Sequence, residues 1–167
     1  MPPRTATLHA FVLGRVPIWL LQALLNRVVT NISRQRPELF VRMGEKAHSS
    51  ILIDPTDMPF VLLLRPDPAA PEMRVVRRGN AGAHDASIAG SFLALLRMID
   101  TQLDGDALFF SRDLRIGGDV EAVVGLRNAM DDVDGSIAAD VAALHGPLGI
   151  AALDLLRREQ RSMVDAG

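Results

Sequence analysis

At 167 residues the chain is sized for one domain that buries about two thirds of the surface it exposes unfolded. It has no cysteine, which excludes disulfides, thiolate catalysis and cysteine-based zinc or iron–sulfur sites. Hydrophobic residues make up 49% with only 4% aromatic, and mean hydropathy is +0.19. This aliphatic surplus implies either a large core or apolar surface kept for a ligand, a partner or a membrane.

The net charge of −2 hides an asymmetry. Residues 1–46 carry seven basic side chains against two acidic ones, and residues 47–167 carry eleven against eighteen. A basic, apolar N-terminal arm on an acidic body is suited to an anionic lipid surface or an acidic partner, although chance scatter of charge gives the same pattern.

Residues 1–14 read as a loose lead-in. Arg4 and the run Val16–Leu25 superficially fit a secretory signal, but no A-x-A site follows, so no cleaved leader is expected. The same run is too short to span a bilayer, and Gln22, Asn26 and Arg27 interrupt its extension.

From Arg15 to Arg36 the spacing predicts an amphipathic helix, with Pro17 at its first position and Pro37 ending it. Ile18, Leu21, Leu25, Val28, Val29 and Ile32 form its apolar stripe, which Leu20 and Leu24 broaden. Gln22, Asn26, Thr30, Ser33 and Arg34 are expected to face away. Two readings of the stripe stand: a helix packed on its own domain, or an interfacial helix with Trp19 as anchor and Leu20 and Leu24 beside it. A short second helix is expected from Pro37 to Met43.

The period then changes. Ser49–Asp54, Met58–Arg65 and Met73–Arg78 are aliphatic runs punctuated by Pro and Asp, the signature of an antiparallel meander. Phe60–Leu64 is apolar on both faces, so it is predicted to be a central strand covered on both sides. His84–Gly90 is a candidate fourth strand. Ser91 is expected to cap a helix over 92–101, with Phe92, Leu95, Leu96 and Ile99 on its main face and Leu93 and Met98 off it.

Leu108, Phe109 and Phe110 form an apolar knot, followed by a strand in which Leu114 and Ile116 alternate with Asp113 and Arg115. Gly117-Gly118 is read as a turn, Asp119 as a helix N-cap and Glu121 as a first-turn acid. Val120, Val123, Val124, Leu126 and Met130 follow at helical spacing. After an acidic loop, Ile137–Leu144 and 148–161 are helical, hinged at Gly146-Pro147.

No catalytic set emerges. G-x-S-x-G is absent, and His9, His48, His84 and His145 are isolated. An EF-hand through Asp131, Asp132 and Asp134 would place Met130 and Val141 at two positions that require carboxylates. The Gly117-Gly118-Asp119 turn lacks a phosphate-binding fingerprint, and Asp119 would repel an anion. Neither an enzyme nor a nucleic-acid binder is expected, and no metal or cofactor. Pattern alone leaves two options: an ordinary α+β core or an apolar ligand cavity.

The strand meander, ASIAGSFLALLRMI and LDGDALFFSRDLRIGGDVEAVVGLRNAM together resemble the sterol carrier protein type 2 domain over residues 47–131. FFSRDLRIGGD carries most of that likeness. The resemblance implies an α+β fold: a mixed, mainly antiparallel five-stranded sheet covered by helices that enclose an apolar tunnel. It divides the chain into a basic helical arm (1–46), a lipid-binding domain (47–131) and a helical extension (132–167). It implies a tunnel formed by Phe109, Phe110, Leu114, Ile116, Val123, Leu126 and Met130, with Phe92, Leu95, Leu96 and Ile99 on the facing helix.

Within that family the arm and the tail resemble the accessory factors of oxygen-independent bacterial ubiquinone biosynthesis. This implies a non-catalytic cytoplasmic carrier of a prenylated quinone precursor, able to meet a membrane surface and the hydroxylation proteins of that route. The alternatives are a general carrier of sterol, phospholipid or fatty acid, and an interaction module that docks partners through its terminal helices.

Overall fold

The computed structural model describes residues 17–99 and 113–131, together with scattered positions between 142 and 158. The lead-in over 1–14 and the aromatic knot with Phe109 and Phe110 lie outside the described residues.

Helix α1 (Ile18–Gln35) starts where Pro17, held extended, turns its carbonyl to the N–H groups of Leu20 and Leu21 at 3.0 and 3.1 Å. Pro17 is therefore the cap, one position outside the expected start. The helix stops at Arg36, whose backbone N–H still reaches the Ile32 carbonyl at 2.8 Å. Pro37 follows, without an N–H to continue the ladder. The apolar stripe faces the protein: Val28 and Val29 are buried, and Ile18, Leu21, Leu25 and Ile32 are half-buried. Packing on its own domain is thus what the stripe does.

Two short elements lead into the sheet, α2 (Glu38–Arg42) and a 3₁₀ turn (Gly44–His48). The 3₁₀ turn has no counterpart in the sequence pattern. The strands are β1 (Ile51–Pro55), β2 (Phe60–Arg65), β3 (Glu72–Arg77), β4 (Ala86–Gly90) and β5 (Arg115–Gly118), with α3 (Phe92–Ile99) after β4 and α4 (Val120–Asp131) after β5. Their order is β3-β2-β1-β4-β5. The meander β1-β2-β3 is antiparallel as expected, β4 runs parallel to β1, and β5 runs antiparallel to β4.

The register puts Ile51 beside Leu64 and Ala86, and Ile53 beside Leu62 and Ile88, with Ile88 beside Ile116. These residues form one face, on which the helices lie. Leu52, Val61 and Leu63 belong to the other. Val61 and Leu63 are buried as well, so β2 is apolar and covered on both sides.

Two features depart from the sequence reading. Gly117 and Gly118 are not a turn but the end of β5, paired with Ser87 and Ala86. The glycine is required by proximity: Gly118 has φ +69°, and a Cβ there would meet the Asp85 carbonyl oxygen at 2.2 Å. In α3 the apolar positions are redistributed. Leu93, Ala94, Leu95 and Met98 are buried, while Phe92, Leu96 and Ile99 are half-buried. A helix apolar nearly all round has no single inward stripe, so its neighbours decide which side is deepest. Ser91 does cap it, its Oγ accepting the Ala94 N–H at 3.2 Å. Among the scattered positions, Ala142, Ala143 and Ile150 are helical, and Gly146 at the expected hinge has φ +67°.

Replacing Gly118 by alanine forces a left-handed L-residue against a carbonyl and is expected to lower stability by about 2–3 kcal/mol. Gly125→Ala, inside α4 with nothing within 4 Å of the added carbon, is expected to raise stability by about 0.5–1 kcal/mol. Urea midpoints of the two variants test both signs.

Candidate functional site

The space between sheet and helices is filled by one large apolar cluster. Its walls are Leu39, Phe40 and Met43 of the arm, Ile51, Leu64 and Ile88 of the sheet, Leu95 and Met98 of α3, and Val123, Leu126 and Met130 of α4. A smaller cluster lies under the first half of α1, where Met58, Phe60 and Val75 meet the half-buried Ile18, Leu21 and Leu25.

Of the residues assigned to a tunnel, Leu95, Leu114, Val123, Leu126 and Met130 come together in the large cluster, with Ile99 and Ile116 packed against it. Phe92 packs instead on the smaller cluster. Leu96, together with Ile99, packs against Ala142. On α1, Trp19 is 72% exposed and Leu20 38% exposed, whereas Leu24 is half-buried.

One charged side chain, Arg127 at 7% exposure, is buried among the described residues. It lies on α4 between Val123 and Met130, and its Nε donates to Asp131 Oδ2 at 2.7 Å. Spacing alone did not separate this arginine from a solvated one, because the i,i+4 pair with Asp131 has the same form on either face.

Gln22 was expected to face away, but its side-chain amide reaches the outer edge of β3. Its Nε2 donates to the Met73 carbonyl and its Oε1 accepts the Val75 N–H, each at 2.8 Å. The amide thus does what a peptide group of a sixth strand would do. It also covers a sheet edge that would otherwise be open to another chain. At the far end of the hairpin, Arg78 donates to the carbonyls of Pro55 and Met58, each at 2.9 Å. Arg78 Nη1 also lies 2.8 Å from Asp54 Oδ1, but too poorly aligned to give that buried oxygen a hydrogen bond.

The start of α4 is fixed by charge. Asp119 caps the helix, its Oδ1 accepting the Ala122 N–H at 3.3 Å, as its position in the sequence suggested. Its other oxygen accepts from Lys46 Nζ of the 3₁₀ turn at 2.6 Å, and Glu121 lies 3.1 Å from the same nitrogen. The Lys46 hydrogen bond is the main reason the Asp119 carboxyl sits below its usual value, and the pair of acids raises Lys46. Asp85 is also lowered, by the backbone and hydroxyl hydrogen bonds of Ser50. These links span 35 and 73 residues, beyond the reach of any local pattern.

Among the described residues no group of three His, Asp or Glu side chains is placed to hold a metal ion. No helix among them is long and apolar enough to cross a membrane. The polar groups brought together are structural pairs around an apolar interior.

Residues 32–131 match the model of the SCP-2 sterol transfer family. The chain belongs to that family. The match spans α2, all five strands, α3 and α4, together with the last residues of α1. Among solved structures, the chain is similar to a UbiJ-SCP2 ubiquinone synthesis protein at 19% identity and TM-score 0.54, covering 70% of this chain and 94% of that one. It is also similar to sterol carrier protein 2 from Yarrowia lipolytica in its apo form, at 12% identity and TM-score 0.46, over 77% of this chain and 99% of that one. A third likeness is to sterol carrier protein domain 2 of Helicoverpa armigera, at 14% identity and TM-score 0.43, over 66% and 87%. No curated protein sequence matches. The mixed, mainly antiparallel sheet with its helices is the fold that the family resemblance implied.

The Lys46–Asp119 link carries a pH signature. Asp119 is held below 3.8, so its contribution is present above that value and is lost as pH falls through the lowered one. Lys46 is held above 10.5, so its contribution is present below that value and is lost as pH rises through the raised one. Asp119→Asn is therefore expected to destabilise the protein at neutral pH, by a margin that shrinks once pH drops below 3.8. Urea titrations of both proteins from about pH 7 to about pH 2.5 measure the margin.

Proposed function

We propose that the chain is a non-catalytic lipid carrier and that its ligand is a prenylated quinone precursor. Family membership carries this reading, because the match covers the segment that builds the apolar interior. The chemistry agrees. Burying an isoprenoid tail contributes about 0.8 kcal/mol for each CH₂-sized unit, so a few isoprene units outweigh the cost of binding without special polar contacts. A quinone precursor rather than a sterol is favoured by the similarity to a ubiquinone synthesis protein, combined with a basic helical arm. In this reading Leu95, Ile99, Leu114, Ile116, Val123, Leu126 and Met130 line the ligand's tail, and the family resemblance adds Phe109 and Phe110.

The same reading gives the arm a task. Trp19 and Leu20 project from α1, a helix with Arg27 and Arg34 and no acidic side chain. An exposed indole and aliphatic side chain on a helix whose charged residues are all arginines suit the boundary of an anionic bilayer. The carrier collects its ligand there and hands it to the hydroxylation proteins of the route.

Solvent extraction of the purified protein followed by mass spectrometry is expected to release a prenylated lipid. Ile99→Asp, at a half-buried site packed against the large cluster, is expected to cut loading about tenfold or more. Unchanged loading in a folded variant would place the ligand elsewhere. On anionic vesicles, Trp19→Ala is expected to lower binding severalfold while lipid loading in solution persists; flotation assays read the first and extraction the second.

A further inference from the structure

We infer that the ligand's way in is the seam between residues 37–48 and α4, and that Lys46 latches this seam through Asp119 and Glu121. The inference rests on the carrier reading and adds a route to it. Val123, Leu126 and Met130 of α4 are 1%, 4% and 6% exposed, and Leu39, Phe40 and Met43 of the arm are equally deep in the same cluster. The interior is closed along this line, so a tail that enters here pushes the arm segment and α4 apart.

Among the described residues, the other elements around the interior are tied by directed bonds. The five strands share one hydrogen-bonded sheet. The Gln22 amide fastens α1 to β3. Helix α3 is fixed at its start by Ser91 Oγ and by Asp57 Oδ1, which accepts the Phe92 N–H at 2.7 Å. At the start of α4, the Asp119 N–H donates to the Asp85 carbonyl at 2.8 Å.

The segment facing α4 is built differently. Its two helices have five residues each, and neither has a side-chain cap. Helices that short do not hold themselves together in water. They meet at Gly44, whose φ is +57° and around which a Cβ would find nothing within 4 Å, so the joint has room to turn. What crosses the seam at its outer end is the Lys46 ammonium, 2.6 Å from Asp119 and 3.1 Å from Glu121. Those side chains are 34%, 28% and 83% exposed. Glu121 is largely in water and the Lys46–Asp119 pair only part-buried, and ion pairs at a protein surface favour the closed state weakly. A weak ionic latch over a short, uncapped, glycine-jointed flap is the arrangement that lets the seam open while the sheet and α3 stay in place.

The test exploits the absence of native cysteine. Lys46→Cys combined with Glu121→Cys is bridged by a bis-maleimide that contains a reducible disulfide, and uptake of the fluorescent fatty acid cis-parinaric acid is followed by stopped flow. The bridged protein is expected to load at least about tenfold more slowly, with the rate restored by reductant and unaffected when each cysteine carries a separate monofunctional maleimide. Lys46→Met, which keeps the Asp119 cap, is expected to load about two- to fivefold faster at low salt, with circular dichroism confirming the fold. If the bridged protein loads as fast as the cleaved one, the route is elsewhere and the seam is overturned while the carrier reading survives. If wild type, bridged and cleaved proteins all fail to take up either the probe or a prenylated quinone precursor, the carrier reading falls and the seam falls with it.

Discussion

The helical layer depends on one corner, where β5 ends against the start of β4 and α4 begins. The Asp85 carbonyl accepts the Asp119 N–H, and Gly118 presses so close to that carbonyl that no side chain fits. The Asp85 carboxylate meanwhile accepts the Ser50 N–H and hydroxyl at 2.7 and 2.8 Å. One residue therefore joins the beginnings of β1, β4 and α4. Because the helix N-cap lies on the corner itself, the backbone fixes where α4 starts over the sheet. Val123, Leu126 and Met130 then fall over Ile51 and Ile88.

That placement explains the chemistry of the interior. The sheet presents aliphatic side chains on its helix-covered face, and α4 answers with Ala, Val, Leu and Met. The one buried charge among the described residues, Arg127, is paired along its own helix. A buried ion pair contributes little net stability, because desolvation offsets its attraction, so the interior gains its cohesion from apolar contact. Such a space suits a hydrocarbon ligand, whose binding is non-directional and grows with buried area.

The arm illustrates how one helix serves two ends. Its inward stripe closes the smaller cluster over β2 and β3, and Gln22 finishes the edge of the sheet. Its outward residues at the start are Trp19 and Leu20. The sequence pattern offered a domain-packed helix and an interfacial helix as alternatives; the structure assigns the stripe to packing and leaves a separate apolar tip. The stripe was legible because burial on one side imposes a 3.6-residue period. The amide bonds of Gln22 were not, because a polar residue at a stripe's margin looks the same whether it meets water or a strand edge.

By itself the sequence determined most of the elements and their kinds, the 3₁₀ turn and the strand end at Gly117-Gly118 excepted. The meander followed from aliphatic runs broken by Pro and Asp, the caps of α3 and α4 from Ser91 and Asp119, and the family from the FFSRDLRIGGD run, although Phe109 and Phe110 lie outside the described residues. These are local properties: periodicity, turn chemistry and capping act within a few residues. Tertiary structure alone decided which side of α3 lies deepest, why Gly118 must be glycine, that Lys46 meets Asp119 across 73 residues, and that Arg127 is buried. Each depends on a neighbour distant in the chain, and the carbonyl, helix or carboxylate that imposes the constraint is brought there only by folding.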